Sequence, residues 1–387
     1  MDGNPDSCRS VSLFICGDIL NKEKVNGKVC SEELADIITS ADYSVCNFEA
    51  PVSGYGEMQP TPGVHYNQRQ ETLSGLKKQG FNLLLLANNH MLDFGKEALK
   101  ATLSMAKETG LDTIGAGLDE ESAYQPLIKD LNGLKVGLIN GCEAQFGVFD
   151  YMGNFHEAGY AWINHFNIDK NIIRLKNECD FVIVFSHAGL EHFSLPQYGW
   201  RLRYKHFCDL GADIVIGSHP HVPQGYEKYG KSWIFYSLGN FYFDTKRYVN
   251  NEDSSFSTWL ELKKGSEPTF KPIFHYKKDG QVHLAPKDKQ IDLGKLNQLL
   301  GDCYTNEHNK MNIQVYDRIK NALAISLCPL IPIDGKFKTF LRMNFSLLMK
   351  KKINHRNLWQ LILLKNDSLY FAIRHVLELK TQNRDNN

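Results

Sequence analysis

The sequence predicts an α/β fold built on parallel strands, and three observations carry that reading. Between Val11 and about Asp244, short apolar runs alternate with amphipathic stretches of helical spacing. Glycine stops the clearest helical stretches, at Gly80, Gly110 and Gly211. The apolar runs also end repeatedly in Asp, Asn, Glu or His, and ligands of open α/β sheets bind beyond the carboxyl ends of the strands.

Taken in order, residues 11–16 read as a buried strand and 43–46 as a shorter one. Residues 71–79 are helical, with Leu73 and Leu76 on one face, and the leucine-rich 81–87 follows as a strand. Residues 93–109 have the clearest helical spacing, through Ala98, Leu99, Thr102, Leu103 and Ala106. Residues 135–139, 181–185, 213–216 and 233–236 are further strands, with a helix over 202–210. Past Asp244, residues 255–262 and 269–275 alternate in strand fashion. From Leu293 the pattern is helical and basic, and Lys350, Lys351 and Lys352 form a run. That basic stretch reads as a solvated face, with peripheral contact to a membrane or a partner as the alternative. The expected organisation is a disordered N-terminus (1–10), a main domain (11–290) and a mostly helical extension (291–387).

Lys and Arg total 44 and so do Asp and Glu, so no global field favours nucleic acid or an anionic membrane. The nine cysteines are odd in number and form no Cys-x-x-Cys, which points to reduced, buried thiols. Residues 1–10 lack a basic and an apolar region, so no signal peptide is visible. Residues 322–333 are too short to span a bilayer and contain Pro329 and Pro332. A cytoplasmic protein is expected.

The chemistry concentrates in five clusters. Gly17-Asp18, Asn47-Phe48-Glu49, Asn88-Asn89-His90, His187-Ala188-Gly189 and Gly217-Ser218-His219-Pro220-His221 each follow a run read as a strand. Parallel strands would gather them on one sheet edge. Asp18, Glu49, Asn89, His187, His219 and His221 then supply oxygen and imidazole ligands without thiolate, a set that suits Mn, Fe or Zn. Two such ions can generate a hydroxide nucleophile and stabilise the opposite leaving oxygen, with Glu49 as the candidate bridge. His90 is placed to donate a proton. Each residue alone has a plainer reading: Asp18 and the asparagines as turn residues, His187 as a core histidine. Asp93 reads as the N-cap of the next helix, or else as the group that orients His90. Glu191 and His192 are read as substrate-facing, as are Asn240 and Arg69, the latter in a Pro/Gly-rich loop with His65 and Tyr66.

In this order the motifs, with Leu86–Gly95 and Tyr236-Ser237-Leu238-Gly239-Asn240-Phe241, resemble the bacterial capsule-synthesis CapA family, associated with poly-γ-glutamate capsules. The resemblance covers roughly residues 11–244. It implies a branch of the calcineurin-like metallophosphoesterases, hence a four-layer α-β-β-α sandwich and a centre for one or two divalent ions. It also implies that the six residues above are metal ligands and His90 the catalytic histidine. Its implied partners are an anionic polymer or a phosphorylated or peptidic substrate, and other capsule-synthesis proteins. The chain departs from the wider superfamily at the first motif, where Asp-x-His is Asp18-Ile19-Leu20. Leucine cannot ligate, so the ion held by His221 and Asp18 is expected to be weak, and His219 with Asn89 and His187 is expected to hold the other. A hydrolase, a non-catalytic component of capsule assembly or export, and a metal-dependent epimerase all remain compatible with these residues.

Overall fold

The structure is a computed structural model that describes residues 10–61, 63–151, 157–244, 254–327, 338 and 365–382. Elements run β1 (Ser10–Leu20), α1 (Glu32–Ser40), β2 (Tyr43–Phe48), α2 (Glu71–Lys78), β3 (Leu83–Leu85), α3 (Gly95–Thr109), β4 (Asp112–Ile114), β5 (Ala116–Gly117), α4 (Glu120–Tyr124), β6 (Leu127–Leu131) and β7 (Leu134–Cys142). There follow β8 (Val148–Phe149), β9 (Gly159–Ala161), α5 (Phe166–Glu178), β10 (Phe181–His187), α6 (Tyr198–Leu210), β11 (Ile214–Ser218), β12 (Tyr226–Tyr229), β13 (Ser232–Phe235) and β14 (Asn240–Phe243). The last are β15 (Ser254–Lys263), β16 (Thr269–Lys278), β17 (Gln281–Leu284), α7 (Leu293–Gln298), α8 (Tyr304–Leu327) and α9 (Asp367–Gln382). Residues 1–9, the Lys350–Lys352 run, most of the basic stretch after Asp334 and the end of the apolar 322–333 run lie outside the described residues.

The strands form two large sheets, as the expected four-layer sandwich requires, and not a single one whose edge would gather every cluster. The first has the order β17-β16-β15-β1-β2-β3-β4, with β14 also on β1; the second is β12-β13-β11-β10-β7-β6. Within them β1 to β4 are parallel, and so are β7, β10, β11 and β13. Most central strands are buried on both faces, and alternation decides what each face meets. Val11, Leu13 and Ile15 of β1 join Leu83, Val136, Ile183 and Ile214 in a core between the sheets. Phe14, Cys16, Cys46 and Leu84 point the other way, onto Leu34 and Ile38 of α1, Leu73 and Leu76 of α2 and Leu99 of α3. Val182, Val184 and Val215 leave the second sheet toward Ile172 and Leu175 of α5 and Trp200 and Phe207 of α6. The layers are therefore helix, sheet, sheet, helix. Cys16, Cys30, Cys46 and Cys142 are buried free thiols within this packing.

Several elements differ from their sequence-based bounds. β1 continues to Leu20, so Gly17 and Asp18 lie inside a strand. Helix α3 starts at Gly95 with Phe94 as its cap and no side-chain cap bond, because the Asp93 carboxylate is engaged elsewhere. Helix α6 starts at Tyr198, ahead of the expected Leu202. Gly199, which reads as a breaker, is inside that helix because Phe371 of α9 packs where a Cβ would sit, 2.6 Å from the nearest ring atom.

Helices α8 and α9 pack on the outer face of the second sheet through Met311, Val315 and Ala372. His308 locks this junction: its Nε2 accepts from the Tyr198 backbone N–H at 3.0 Å and lies 3.0 Å from Asn312 Nδ2. Burial, aided by nearby His375, pushes the His308 imidazole down to about 4. The unfolded chain, titrating near 6.5, therefore binds more protons between those values. The His308 contribution to stability is full above about pH 6.5 and is lost as pH falls toward 4. His308→Gln, which still accepts a bond, is expected to flatten this dependence by about one proton. Thermal melts from pH 7 to 4 check this, and identical slopes in both proteins would remove His308 as the cause.

Candidate metal centre

The five clusters meet where the carboxyl ends of the two sheets come together. Asp18 comes from β1, Glu49 follows β2 and Asn89 follows β3; His187 ends β10, and His219 and His221 follow β11. The chain joins the sheets here by crossing from β13 through residues 236–239 into β14, which pairs with β1 at Asp18↔Asn240. Two glycines permit that approach. A Cβ on Gly17 would meet the Gly239 carbonyl oxygen at 1.8 Å, and one on Gly217 the Tyr236 oxygen at 2.0 Å. Both neighbours are backbone, so neither can give way cheaply. Gly17→Ala is expected to destabilise the fold by roughly 1–3 kcal/mol, the usual range for overpacking. A denaturant midpoint unchanged from wild type would contradict this.

Of the six non-glycine residues with positive φ among the described residues, Asn132 and Asp279 lie away from the site, and Ala50 (90°), His192 (66°), His219 (92°) and His221 (60°) lie at it. Such conformations cost energy and persist where the surroundings over-determine them, commonly at functional sites. Asp18, Glu49, His187, His219 and His221 are all buried.

The ligand-type atoms fall into two sets. Asp18, Glu49 and His221 each offer an atom within 4.8 Å of the others. His221 Nδ1 is 3.4 Å from Asp18 Oδ2, and its Nε2 is 3.7 Å from Glu49 Oε1. In the second set His187 Nε2 is 3.1 Å from Asn89 Oδ1 and 3.1 Å from His219 Nδ1. Asn47 spans the sets: its Nδ2 donates to Asp18 Oδ1 at 2.7 Å and lies 3.2 Å from His187 Nδ1.

Electrostatics separates the sets. Burial drives the Glu49 carboxyl well up. Burial pulls His221 down, yet Glu49 and Asp18 outweigh it and push the imidazole up to about 10. The pair thus retains a proton between them at neutral pH. Burial and the neighbouring imidazoles hold His187 well down, and burial takes His219 down to about 4, so the second set is neutral imidazole. Among the described residues, neither oxygen of Glu49 has a hydrogen-bond donor. A buried carboxylate without donors is costly unless a cation compensates it. A divalent ion fits this set: it would displace the shared proton and satisfy the orphaned oxygens.

These groups open on a cavity of ≈ 510 Å³ that Asn89, His90, Asp93, Glu191, His219 and His221 help to line. His90 Nδ1 is 2.7 Å from Asp93 Oδ2, and the same oxygen accepts from the Tyr66 backbone N–H at 2.7 Å. Asp93 therefore orients His90 and is not a helix cap. The Tyr66 ring lies 4.5 Å from the His90 ring. Leu20 packs with Ala50, Phe243 and Tyr66 as an apolar wall.

Other candidates fall elsewhere. Arg69 does not line the cavity; its N–H is tied to the Asn21 carbonyl and its Nε lies 3.5 Å from Glu71 at the start of α2. Asn240 is buried with its Oδ1 3.0 Å from His221 Nδ1, so it holds a ligand-type side chain and does not face the cavity. His192 sits behind the lining, with its ring stacked 6.1 Å from His221 and its Nε2 3.5 Å from Glu191. Sequence reasoning passed over Glu143, which follows β7 and lies with its Oε1 3.8 Å from His219 Nε2. Burial pushes its carboxyl up to about 8 against the donors around it. The run 135–139, read as a strand that stops short, was the available signal: β7 continues to Cys142 and ends at this acid, like the other strands of the site.

The chain matches the family model described as bacterial capsule synthesis protein PGA_cap over residues 12–245. It is 32% identical over 259 residues to the capsule biosynthesis protein CapA of Bacillus anthracis, covering 63% of this chain and 62% of that one. It is 31% identical over 271 residues to the PGA biosynthesis protein CapA of Bacillus subtilis (strain 168), covering 66% and 69%. The chain thus spans less than two thirds of the first of these relatives. Among solved structures, it aligns with the calcineurin-like phosphoesterase YfkN of Bacillus subtilis at 17% identity and a TM-score of 0.38, over 72% of this chain and 89% of that one. With the family model matching more than half of its residues, the chain belongs to the bacterial capsule synthesis protein PGA_cap family.

Proposed function

We propose that this chain acts in the biosynthesis of a poly-γ-glutamate capsule as a metal-dependent hydrolase. The observation that carries the reading is Glu49, a buried carboxylate without a hydrogen-bond donor, set beside Asp18 and His221 at the floor of a cavity. The names of the two Bacillus relatives support the capsule role. Asp18, Glu49 and His221 would hold one divalent ion, and Asn89, His187 and His219 are the candidates for a second, with Mn, Fe or Zn suited to both donor sets. Such an ion supplies Lewis acidity and a water of lowered pKa.

The chain's own residues do the rest. Asp93 fixes the His90 ring through Nδ1 and leaves Nε2 as the atom that exchanges a proton with the cavity; as the imidazolium, His90 would protonate a leaving group there. Asn47 and Asn240 hold Asp18 and His221 in place. Arg318 and Lys365 also line the cavity, and their positive charge suits an anionic polymer or a phosphorylated or peptidic substrate. Leu20 favours a second reading, a non-catalytic component of capsule assembly, because it removes a ligand from the Asp18 set. No helix among the described residues is long and apolar enough to cross a membrane. A cytoplasmic site of action is part of the proposal, and cell fractionation tests it.

The deciding experiment strips the full chain with a chelator, restores Mn²⁺, Zn²⁺ or Fe²⁺ singly, and assays a chromogenic phosphodiester and γ-glutamyl peptides. Turnover lost on stripping and restored by one ion is expected. No turnover of any probe with an ion bound would favour the non-catalytic reading.

A further inference from the structure

We propose that helix α9, which lies beyond the family-matched residues, completes the metal centre by locking Glu143 as the positioning residue for His219. The inference rests on the metal reading above.

Glu143 is fully buried, and four donors converge on it. Gln145 Nε2 (2.8 Å) and Asn366 Nδ2 (3.1 Å) donate to Oε1, and the Gly189 backbone N–H (3.1 Å) and the Ser368 hydroxyl donate to Oε2. A carboxyl group held at both oxygens has no rotational freedom left. Its Oε1 faces His219 Nε2 at 3.8 Å, while His219 Nδ1 is turned toward His187 Nε2 and the Asn89 set. Two donors on each of its oxygens leave no place for a proton on Glu143 and hold it ionised against the upward push of burial, and a carboxylate beside one ring nitrogen favours the proton on that nitrogen and leaves the other as a lone pair for a metal. Glu143 therefore selects the Nε2–H form of His219 and presents Nδ1 as the ligand atom.

Two of the four donors, Asn366 and Ser368, lie at the start of α9. The helix is docked there by Asp367, whose Oδ2 accepts from the Ala144 backbone N–H at 3.0 Å and from Trp162 Nε1 at 2.9 Å. Helix α9 thus reaches the site through a short relay, from Ser368 and Asn366 to Glu143 to His219. A merely structural Glu143 would tie β7 to α9 without influencing the imidazole.

Histidine-selective ¹⁵N labelling of the metal-free full chain, read by long-range ¹H–¹⁵N correlation, reports the His219 tautomer in the wild-type protein, and His219→Gln serves only to assign the signal. The Nε2–H form is expected, and an Nδ1–H form would overturn the proposal. Equilibrium dialysis with Mn²⁺ then compares wild type with Glu143→Gln and Ser368→Ala. Affinity is expected to fall about 10- to 100-fold in Glu143→Gln, the usual cost of losing such a support, and less in Ser368→Ala. Folded variants that bind Mn²⁺ within twofold of wild type would overturn it. If wild type itself binds no Mn²⁺, the metal reading fails, and the tautomer still decides what Glu143 does.

Discussion

Glu49→Gln is expected to abolish metal-dependent stabilisation while leaving the metal-free protein as stable as wild type, or more so. The reason is the cost of an ionised carboxylate at that position. Glu49 is buried, neither oxygen has a donor, and its nearest counter-charge is His221 Nε2 at 3.7 Å. Leaving a buried polar group unsatisfied costs about 1–3 kcal/mol, more for a charge. The amide removes the charge at nearly constant volume, so the metal-free state loses that penalty. It also loses the oxygen that a cation would claim. An ion present at about 100 times its dissociation constant stabilises wild type by about 2.7 kcal/mol, and this increment is expected to vanish in the variant.

The pH dependence carries the same signature. Glu49 and His221 both hold a proton more tightly folded than unfolded. The part of metal-free stability that these two groups contribute is therefore full below the unfolded carboxyl value, about 4.3, and is lost as pH rises toward the folded His221 value of about 10. The variant is expected to lose the carboxyl part of that slope. Calorimetry of both proteins with and without Mn²⁺ at several pH values decides it. A Glu49→Gln protein still stabilised by Mn²⁺ as strongly as wild type would exclude Glu49 as a ligand.

The parallel strands and their helices were legible because their signals are local. Helical spacing over 95–109 ends at Gly110 with φ 75°, and the helix ending at Gly211 stops on φ 117°. The division into two sheets was legible only through the family resemblance and not from the strand patterns. Val11, Leu13 and Ile15 face the other sheet and Phe14 and Cys16 face helices, yet all five are simply apolar in sequence. A strand buried on both faces does not reveal which neighbour each face meets. The ligand-type residues could be picked out because each lies near the end of a strand or just beyond it. Asp93 was ambiguous because an acid before a helix serves equally as a cap or as a partner for a histidine three residues earlier, and only its contacts, His90 Nδ1 and the Tyr66 N–H each at 2.7 Å, show which way the carboxylate turns. Glu143 was hidden because its meaning comes from Asn366 and Ser368, more than two hundred residues away.

His90→Asn is expected to lower kcat by about 10²- to 10⁴-fold, the usual contribution of a positioned general acid, with Mn²⁺ affinity unchanged. The side chain is 13% exposed, at the cavity wall, and its ring is fixed on one edge by Asp93 at 2.7 Å and on one face by Tyr66. Asparagine keeps a polar group there but cannot deliver a proton. Asp93→Asn removes the charge that orients the ring and is expected to cost less, since His90 itself remains. Because Asp93 acts through His90, the double variant is expected to be no slower than His90→Asn alone, a non-additivity typical of groups that work as a unit. Asp93 also accepts the Tyr66 backbone N–H, so its replacement should loosen the 63–66 loop and lower thermal stability as well. The cycle separates the two effects: a stability loss adds to that of His90→Asn, whereas a loss of orientation does not add in kcat. Retention of more than a tenth of wild-type kcat in His90→Asn, or fully additive losses in the double variant, would remove His90 from the proton-transfer role.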